Sequence, residues 1–567
     1  MAAQKDIFSN KFIWLLAILI LVNVLSSYVN GYIDLTGDKR FTLTGPTKNL
    51  VAQVDEVIYA KLYMDGDFPA GLDQLRQSAV DMLRDYKKIN NNIVFEVEDP
   101  TAGSSDQINE RYQQLTKEGL APTSLKVFDG KEYVQKVIFP YVSFQIGQRK
   151  VVVNLLEPQQ AGQDEQEILA NSVSLLEYKF SNAIQKLLLE RKMNIVFSAG
   201  QDELPAQNTI MLERELRRFY NTGRIVLDSV VKLDAEIDLL IVNAPKQPFS
   251  QQNQFKIDQY LMNGGKILWL IEKLQVDLDS INKYEFYIPK DVISGTEDLL
   301  FRYGARVMPN LIMDLECSQI PQIIGMSGDK PQTAMFPWPY HPLVAAKSEH
   351  PIVKNIDRVS MFYPAQIDTV KTATPVTKTI LLTSSDYSKV QFNPVRLTFE
   401  ILKTPFQPEF FDQKNIPVAV LLEGEFESLF KNRVSAEFAE SLKNSKMQFV
   451  EKSTPTKQIV VSDADFAKNL INPRTGDPEQ LGFNKWDIKY YKGNNDFILN
   501  CIEYLLDENQ ILTARSKELK LRPLDTVKVD QEKTFWQVLN VLTPLVLLTA
   551  FGLIFNFIRR KKYIIQS

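Results

Sequence analysis

Cysteine and histidine are scarce in this 567-residue chain: Cys317 and Cys501, His341 and His350. Two thiols close at most one bridge, so a disulfide framework is excluded. Two imidazoles in one proline-rich stretch leave little room for a histidine-rich zinc site, and they confine histidine-based catalysis to that stretch. A basic excess is also missing. Lys+Arg number 65 against Asp+Glu 69, a formal net charge of -4. A general nucleic-acid binder carries a positive surplus, so no nucleic-acid partner is expected. No G-x-x-x-x-G-K-[ST] loop occurs. Gly325 to Lys330 has the wrong spacing, and Gly264-Gly265-Lys266 is a helix stop running into a strand. P-loop ATP hydrolysis by this chain is therefore excluded, and energy must come from a partner. What remains is ordinary globular composition, 44% hydrophobic and 24% charged. It excludes a mostly disordered chain and a polytopic membrane protein. The length suits three or four domains of about 150 residues each.

Long uncharged runs occur at both ends. Phe12 to Val29 follows Lys5 and Lys11 and makes about 27 Å of helix. A cleaved signal peptide shares this plan, but the run is long for one and the small-x-small pattern around Ser26 and Ser27 is weak. A retained anchor is expected. Phe535 to Ile558 is long enough to span with some tilt. Phe535 and Trp536 sit at the level of an interfacial aromatic belt. Arg559, Arg560, Lys561 and Lys562 follow at once and mark the cytoplasmic side. Pro544 lies inside the run, with the polar Gln537, Asn540 and Asn556, which face either a partner helix or interfacial water. Both termini, 1–11 and 559–567, are thus expected in the cytoplasm. The segment between the spans is expected outside it, in the periplasm of a cell whose inner membrane holds both helices. Two helices cannot line much of a pore, so the chain is not a channel.

The expected fold class is α/β, with two transmembrane helices flanking a multidomain extracytoplasmic body. In 30–160 the order β-α-β-α-β-β is that of a thioredoxin-like domain. Asp65-Gly66-Asp67-Phe68 stands where a redox member carries Cys-x-x-Cys, so dithiol chemistry is excluded. A helical connector, 161–192, leads to strands alternating with helices over 193–317, a parallel α/β sheet of class I glutamine-amidotransferase-like type. A Pro-rich and mixed β insertion is expected over 318–457, with its first part, Ser318 to His350, less regular. The α/β pattern returns in 458–514, and 515–534 is a juxtamembrane linker.

Four stretches carry a family likeness. They are Asp38-Lys39-Arg40-Phe41-Thr42-Leu43-Thr44 after the first span and Asp238 to Glu272 with Gly264-Gly265-Lys266. The others are Val460-Val461-Ser462-Asp463-Ala464-Asp465-Phe466 and the helix Asn494 to Leu506. In order and spacing the chain resembles the GldG family, auxiliary or substrate-binding components of ABC transporters associated with gliding motility. The resemblance implies a non-catalytic subunit without a cofactor. It also implies two partners, a multi-span GldF-like permease and a cytoplasmic GldA-like ATPase.

Enzyme readings fare poorly against the residues. Val196-Phe197-Ser198-Ala199-Gly200 follows a strand but lacks the first glycine of a G-x-S-x-G elbow. A Ser198–His341 pair would be needed for hydrolysis, and a loop serine with a surface histidine is the plainer expectation. Cys501 is expected as a buried thiol. Asp463 and Asp465 are the best paired carboxylates, placed after a buried strand where α/β sheets hold ligands. They would bind a cation or a sugar hydroxyl, or cap the next helix. An envelope glycan or protein remains a candidate partner for the body, and a stand-alone glycan-binding module is the alternative reading of the whole chain.

Overall fold

The computed structural model describes residues 14–21, 42–66, 68–128, 133–157, 165–189, 191–276, 281, 285–433, 449–516 and 526–564. A first sheet is built from β1 (Ile58–Leu62), β2 (Ile93–Val97), β5 (Tyr141–Ile146) and β6 (Arg149–Asn154), in the order β2-β1-β5-β6. Strands β1 and β2 are parallel, and β5 is antiparallel to both its neighbours. Between β2 and β5, β3 (Thr123–Phe128) and β4 (Tyr133–Ile138) make a separate hairpin. Alternation sets β1: Ile58, Ala60 and Leu62 point into the core, and Tyr59 faces out. The helix Ala70–Ile89 joins β1 to β2 and buries Leu72, Leu75, Ala79, Leu83 and Tyr86 at helical spacing. Ser104 opens the helix Ser105–Lys117 with a reciprocal capping box to Gln107.

The second sheet begins with β7 (Asn194–Ala199), β8 (Asn221–Val226), β9 (Ile237–Asn243) and β10 (Ile267–Leu270). These four and Thr456–Val461 run parallel in the spatial order β8, β7, β9, β10, Thr456–Val461. In chain order that is 2-1-3-4-5, a doubly wound arrangement. All four residues of β10 and the last five of β9 are buried, as strands covered on both faces require. Ser250 caps the helix Gln251–Met262, and Gly264, at φ 89°, turns the chain out of it into β10.

The stretch Ser318–His350 is more regular than its prolines imply. Cys317–Ser327 and Lys330–Ala346 form a long antiparallel hairpin. Pro331 and Pro337 are spaced by an even number, so their missing N–H groups fall on the same side of the strand, and Pro339 falls in the register shift between the Gln319–Pro337 and Cys317–Pro342 pairs. The strands Lys330–Ala346, Val376–Thr383 and Pro417–Gly424 then pair in turn, and Pro417–Gly424 pairs with Thr456–Val461. The inserted strands thus extend the parallel sheet as an antiparallel wing.

One apolar core runs from Leu43 to Ala514 and joins the two sheets through the helix Leu176–Leu188. Polar ties act on both sides of that helix. Thr44 donates to Glu177 through its backbone N–H and its hydroxyl, each at 2.7 Å. Lys186 pairs with Glu503 at 3.0 Å on the helix Lys492–Leu506. That last helix starts tight against the loop before it. A Cβ on Gly493 would lie 2.4 Å from the Arg358 carbonyl oxygen and 2.5 Å from that of Asp357. Gly493→Ala is therefore expected to destabilise the body by about 1–3 kcal/mol, as overpacking does. Thermal unfolding checks this, and an unchanged melting temperature would mean that the 357–358 loop yields.

Among the described residues, one helix is long and apolar enough to cross a membrane, Glu532–Lys561, within the helix Thr526–Ile564. Its side chains are wholly unpacked against the body. Of the expected first span, Phe12 to Val29, residues 14–21 are helical and exposed, and the rest lie outside the described residues, as do Lys5 and Lys11. The two-span expectation is thus met by one described span. Phe535, Ile558, Arg559, Arg560 and Lys561 lie on it, and Lys562 on its last turn.

Candidate functional site

Two adjacent parallel strands end in carboxylates. Leu270 pairs with Val461 at the carboxyl ends of β10 and Thr456–Val461. Glu272 leaves the first, and Asp463 and Asp465 leave the second. This edge of a parallel sheet is where ligands and polar groups gather. Glu272 Oε1 accepts from the backbone N–H of Ala464 at 2.6 Å and of Asp465 at 3.2 Å. Asp463 is fully buried. Its Oδ1 accepts from Asp465 N–H and its Oδ2 from Phe362 N–H, each at 2.7 Å. Asp465 is ion-paired with Lys468.

Three carboxyl groups packed together cannot all ionise cheaply. Burial, then the Asp463 and Asp465 charges, hold the Glu272 carboxyl well above the usual carboxylate range. Burial, then the Asp465 charge, raise Asp463 to about 7. Burial alone would pull the Lys468 ammonium down, but the Asp465 charge and its hydrogen bond outweigh it and raise the group.

Beside this cluster lies a cavity of about 150 Å³. His341, Phe362, Tyr363, Phe466 and Trp486 wall it, and Asp465, Lys468, Asn484, Lys485 and Asn494 are its polar residues. The His341 ring packs edge-on against Phe362 and Tyr363 at 4.8 and 4.9 Å. Burial, then the Lys468 charge, push its pKa down to about 3, so the imidazole is neutral.

The residues singled out from sequence fall as follows. Asp463 and Asp465 come together with Glu272 and Lys468. Neither caps an α-helix: the chain after Ala464 makes only a 3-10 turn, Asp465–Ala467, with no side-chain cap. Among the described residues, no group of three or more His, Cys, Asp or Glu is arranged to hold a metal ion. Ser198 is fully buried, and its Oγ accepts from Asn243 N–H at 3.2 Å. His341 is buried too, not on the surface, and no described Ser198–His341 hydrogen bond exists. The elbow at the end of β7 therefore presents no nucleophile. Cys501 is buried with its thiol pushed well up, and burial pushes the half-buried Cys317 thiol to about 12. Neither is a reactive thiolate. The His350 ring packs edge-on against Tyr504, and its Nδ1 accepts from Ile352 N–H. Asp65 pairs with Arg76 at 3.6 Å, and Asp67 lies outside the described residues.

Glu272, Lys468, Asn484 and Trp486 were not singled out from sequence. A readable signal existed for Glu272, a carboxylate directly after the apolar run Ile267–Ile271. Its neighbour Ala464 is 192 positions away, and only strand order brings the two together.

Residues 192–501, more than half of the chain, match the model of a family described as ABC-type uncharacterized transport system. Residues 37–145 match a domain of unknown function, DUF7088. An uncharacterized protein of Borreliella burgdorferi is 23% identical over 432 residues, covering 74% of this chain and 77% of that one. Among solved structures, the mmIFT52 N-terminal domain aligns over 55% of this chain and 96% of its own at 13% identity. Its TM-score of 0.29 is below the level at which a shared fold follows.

Proposed function

The chain belongs to the family described as ABC-type uncharacterized transport system, and from that membership we propose that it is a membrane-anchored accessory subunit of an ABC transporter. The family match carries this reading. The absence of a P-loop in the sequence agrees with it, because ATP hydrolysis then falls to a separate cytoplasmic ATPase. A multi-span permease would receive the helix Glu532–Lys561, whose apolar side chains are exposed throughout. The basic block Arg559 to Lys562 supports a cytoplasmic end, with the body on the other side, by the positive-inside rule. With the expected first span, both termini would be cytoplasmic and the body periplasmic. The apolar cluster shared by both sheets favours a body that moves as a unit, so force from the permease would reach it mechanically.

The finer reading is a GldG-type, substrate-binding-like role in gliding motility, with GldF-like and GldA-like partners. It rests on the four sequence stretches given above. For the first unit, a thioredoxin-like fold is supported by the order β2-β1-β5-β6 with β5 antiparallel to its neighbours. For the second, an amidotransferase-like fold is supported by the run of five parallel strands.

Purification of the full-length chain in mild detergent from its native membrane, with mass spectrometry of what accompanies it, tests the assignment. A multi-span permease and an ATPase in stable ratio are expected. Permease and ATPase running together without this chain would overturn it.

A further inference from the structure

The cavity beside the acidic cluster carries more than the accessory role requires. Three of its polar residues are each 1% exposed, His341, Asn484 and Asn494, and of these Asn494 is hydrogen-bonded through both side-chain ends. Neither His341 ring nitrogen, nor Asn484 Nδ2, has a hydrogen-bond partner among the described residues. Buried polar groups normally find partners, and leaving them without one costs about 1–3 kcal/mol each. The Asn484 amide is held in place, because its Oδ1 accepts from Trp486 N–H at 3.0 Å. Its Nδ2 is thereby fixed as the group left for another partner.

The segment bearing Asn484 and Trp486 is itself tightly set. Gly482 sits at φ 90°, accepts from Tyr491 N–H at 2.9 Å, and has no room for a Cβ, which would lie 2.3 Å from the Tyr491 carbonyl oxygen. The open groups are thus parts of a preformed site.

Their chemistry selects a ligand class. The charged groups lining the cavity are already engaged: Asp465 pairs with Lys468, and the Lys485 ammonium lies 4.3 Å from the Trp486 ring centre, so a net charge on the ligand would meet a competing partner. The neutral imidazole offers one donor and one acceptor, and the Asn484 amide offers two donors. Donors exceed acceptors by three to one, which suits a carbonyl oxygen with its two lone pairs. The aromatic residues Phe362, Tyr363 and Trp486 line the same space. They suit a planar group with an apolar neighbour.

We propose that this cavity binds a small uncharged ligand through a secondary amide, its carbonyl accepting from Asn484 and His341 and its plane lying against the aromatic wall. An acetamido sugar and an acylated peptide unit both present that group. The site does not rest on the transporter reading, and failure of either leaves the other standing.

Saturation-transfer NMR on the full-length chain in nanodiscs tests the proposal with N-acetylglucosamine, N-acetyl-alanine methylamide and glucose as probes. The acetyl methyl of at least one amide probe is expected to receive saturation, and glucose is not. Binding of the sugar alone, the peptide mimic alone, or both would identify the source of the amide. Asn484→Leu should weaken the binding at least about tenfold, the worth of one buried hydrogen bond, and His341→Phe should do likewise. The melting temperature of each variant shows that the fold persists; should one fail to fold, Trp486→Ala at the partly exposed wall replaces it. Binding of neither amide, glucose binding as well as N-acetylglucosamine, or full binding in folded Asn484→Leu would overturn the assignment.

Discussion

Asp258→Ala is expected to cost about 3–5 kcal/mol of stability, because it leaves three buried donors without a partner at about 1–3 kcal/mol each. Asp258 lies in the helix Gln251–Met262 and is fully buried. Its Oδ1 accepts from Tyr303 Oη and Leu429 N–H, both at 2.9 Å. Its Oδ2 accepts from Ser428 Oγ at 2.7 Å and Gln259 Nε2 at 3.0 Å. The carboxyl therefore ties the α/β sheet's helix to the segment that precedes Thr456–Val461. Alanine would leave the Tyr303, Ser428 and Leu429 donors buried without partners. Burial raises the Asp258 pKa against these four hydrogen bonds, so the group is already under strain, and Asp258→Asn should cost less than Asp258→Ala. Thermal unfolding should show a drop of roughly 3–5 °C for the alanine variant, at about 1 °C per kcal/mol for a cooperative body of this size. A drop of under a degree would mean that water satisfies those donors and that the tie is weak.

Glu272→Gln is expected to make the protein more stable above neutral pH and to flatten its stability–pH curve. Glu272 and Asp463 both have raised pKa values in the fold, from burial and from neighbouring carboxylates. Between the ordinary carboxylate value of about 4 and the raised values, the folded state holds protons that the unfolded state has released. Stability from this cluster is thus fully present below about pH 4 and lost as pH rises through about 7, the value of Asp463. Glutamine keeps the acceptor for the Ala464 and Asp465 amides and supplies a permanent neutral donor toward Asp463. A gain of about 1–2 kcal/mol at pH 8, vanishing near pH 5, is expected from melting curves taken across that range. Parallel curves for the two proteins would show that the carboxyls do not share a proton.

Much of the fold was legible because local chemistry and burial agree. Gly264-Gly265 ends the helix Gln251–Met262 and leads into a strand, as its reading as a helix stop predicts, and β10 falls within a continuous apolar run. The hairpin Cys317–Ala346 was obscured by its prolines, which on a strand are harmless when their missing donors share one side or fall in a register shift. The continuation of the parallel sheet by inserted antiparallel strands has no local signal at all, since strand order is a property of the whole chain. The site divides the same way. Asp463 and Asp465 were visible as carboxylates after a buried strand. Glu272 joins them only through the pairing of β10 with Thr456–Val461, and Asn484 and Trp486 reach the cavity from a loop without periodicity. His341 read as a surface loop residue because its neighbours are prolines; the hairpin instead buries it against Phe362 and Tyr363.

Contact between the helix Glu532–Lys561 and a multi-span permease is the claim on which the accessory-subunit reading turns. A photocrosslinking amino acid placed at Asn540, on the polar side of the helix, and separately at Leu542, nearly opposite it, measures that contact in intact membranes. An adduct with a multi-span permease from position 540, stronger than from 542, is the expected result. Adducts with lipid alone from both positions, in cells that contain the permease, would contradict it.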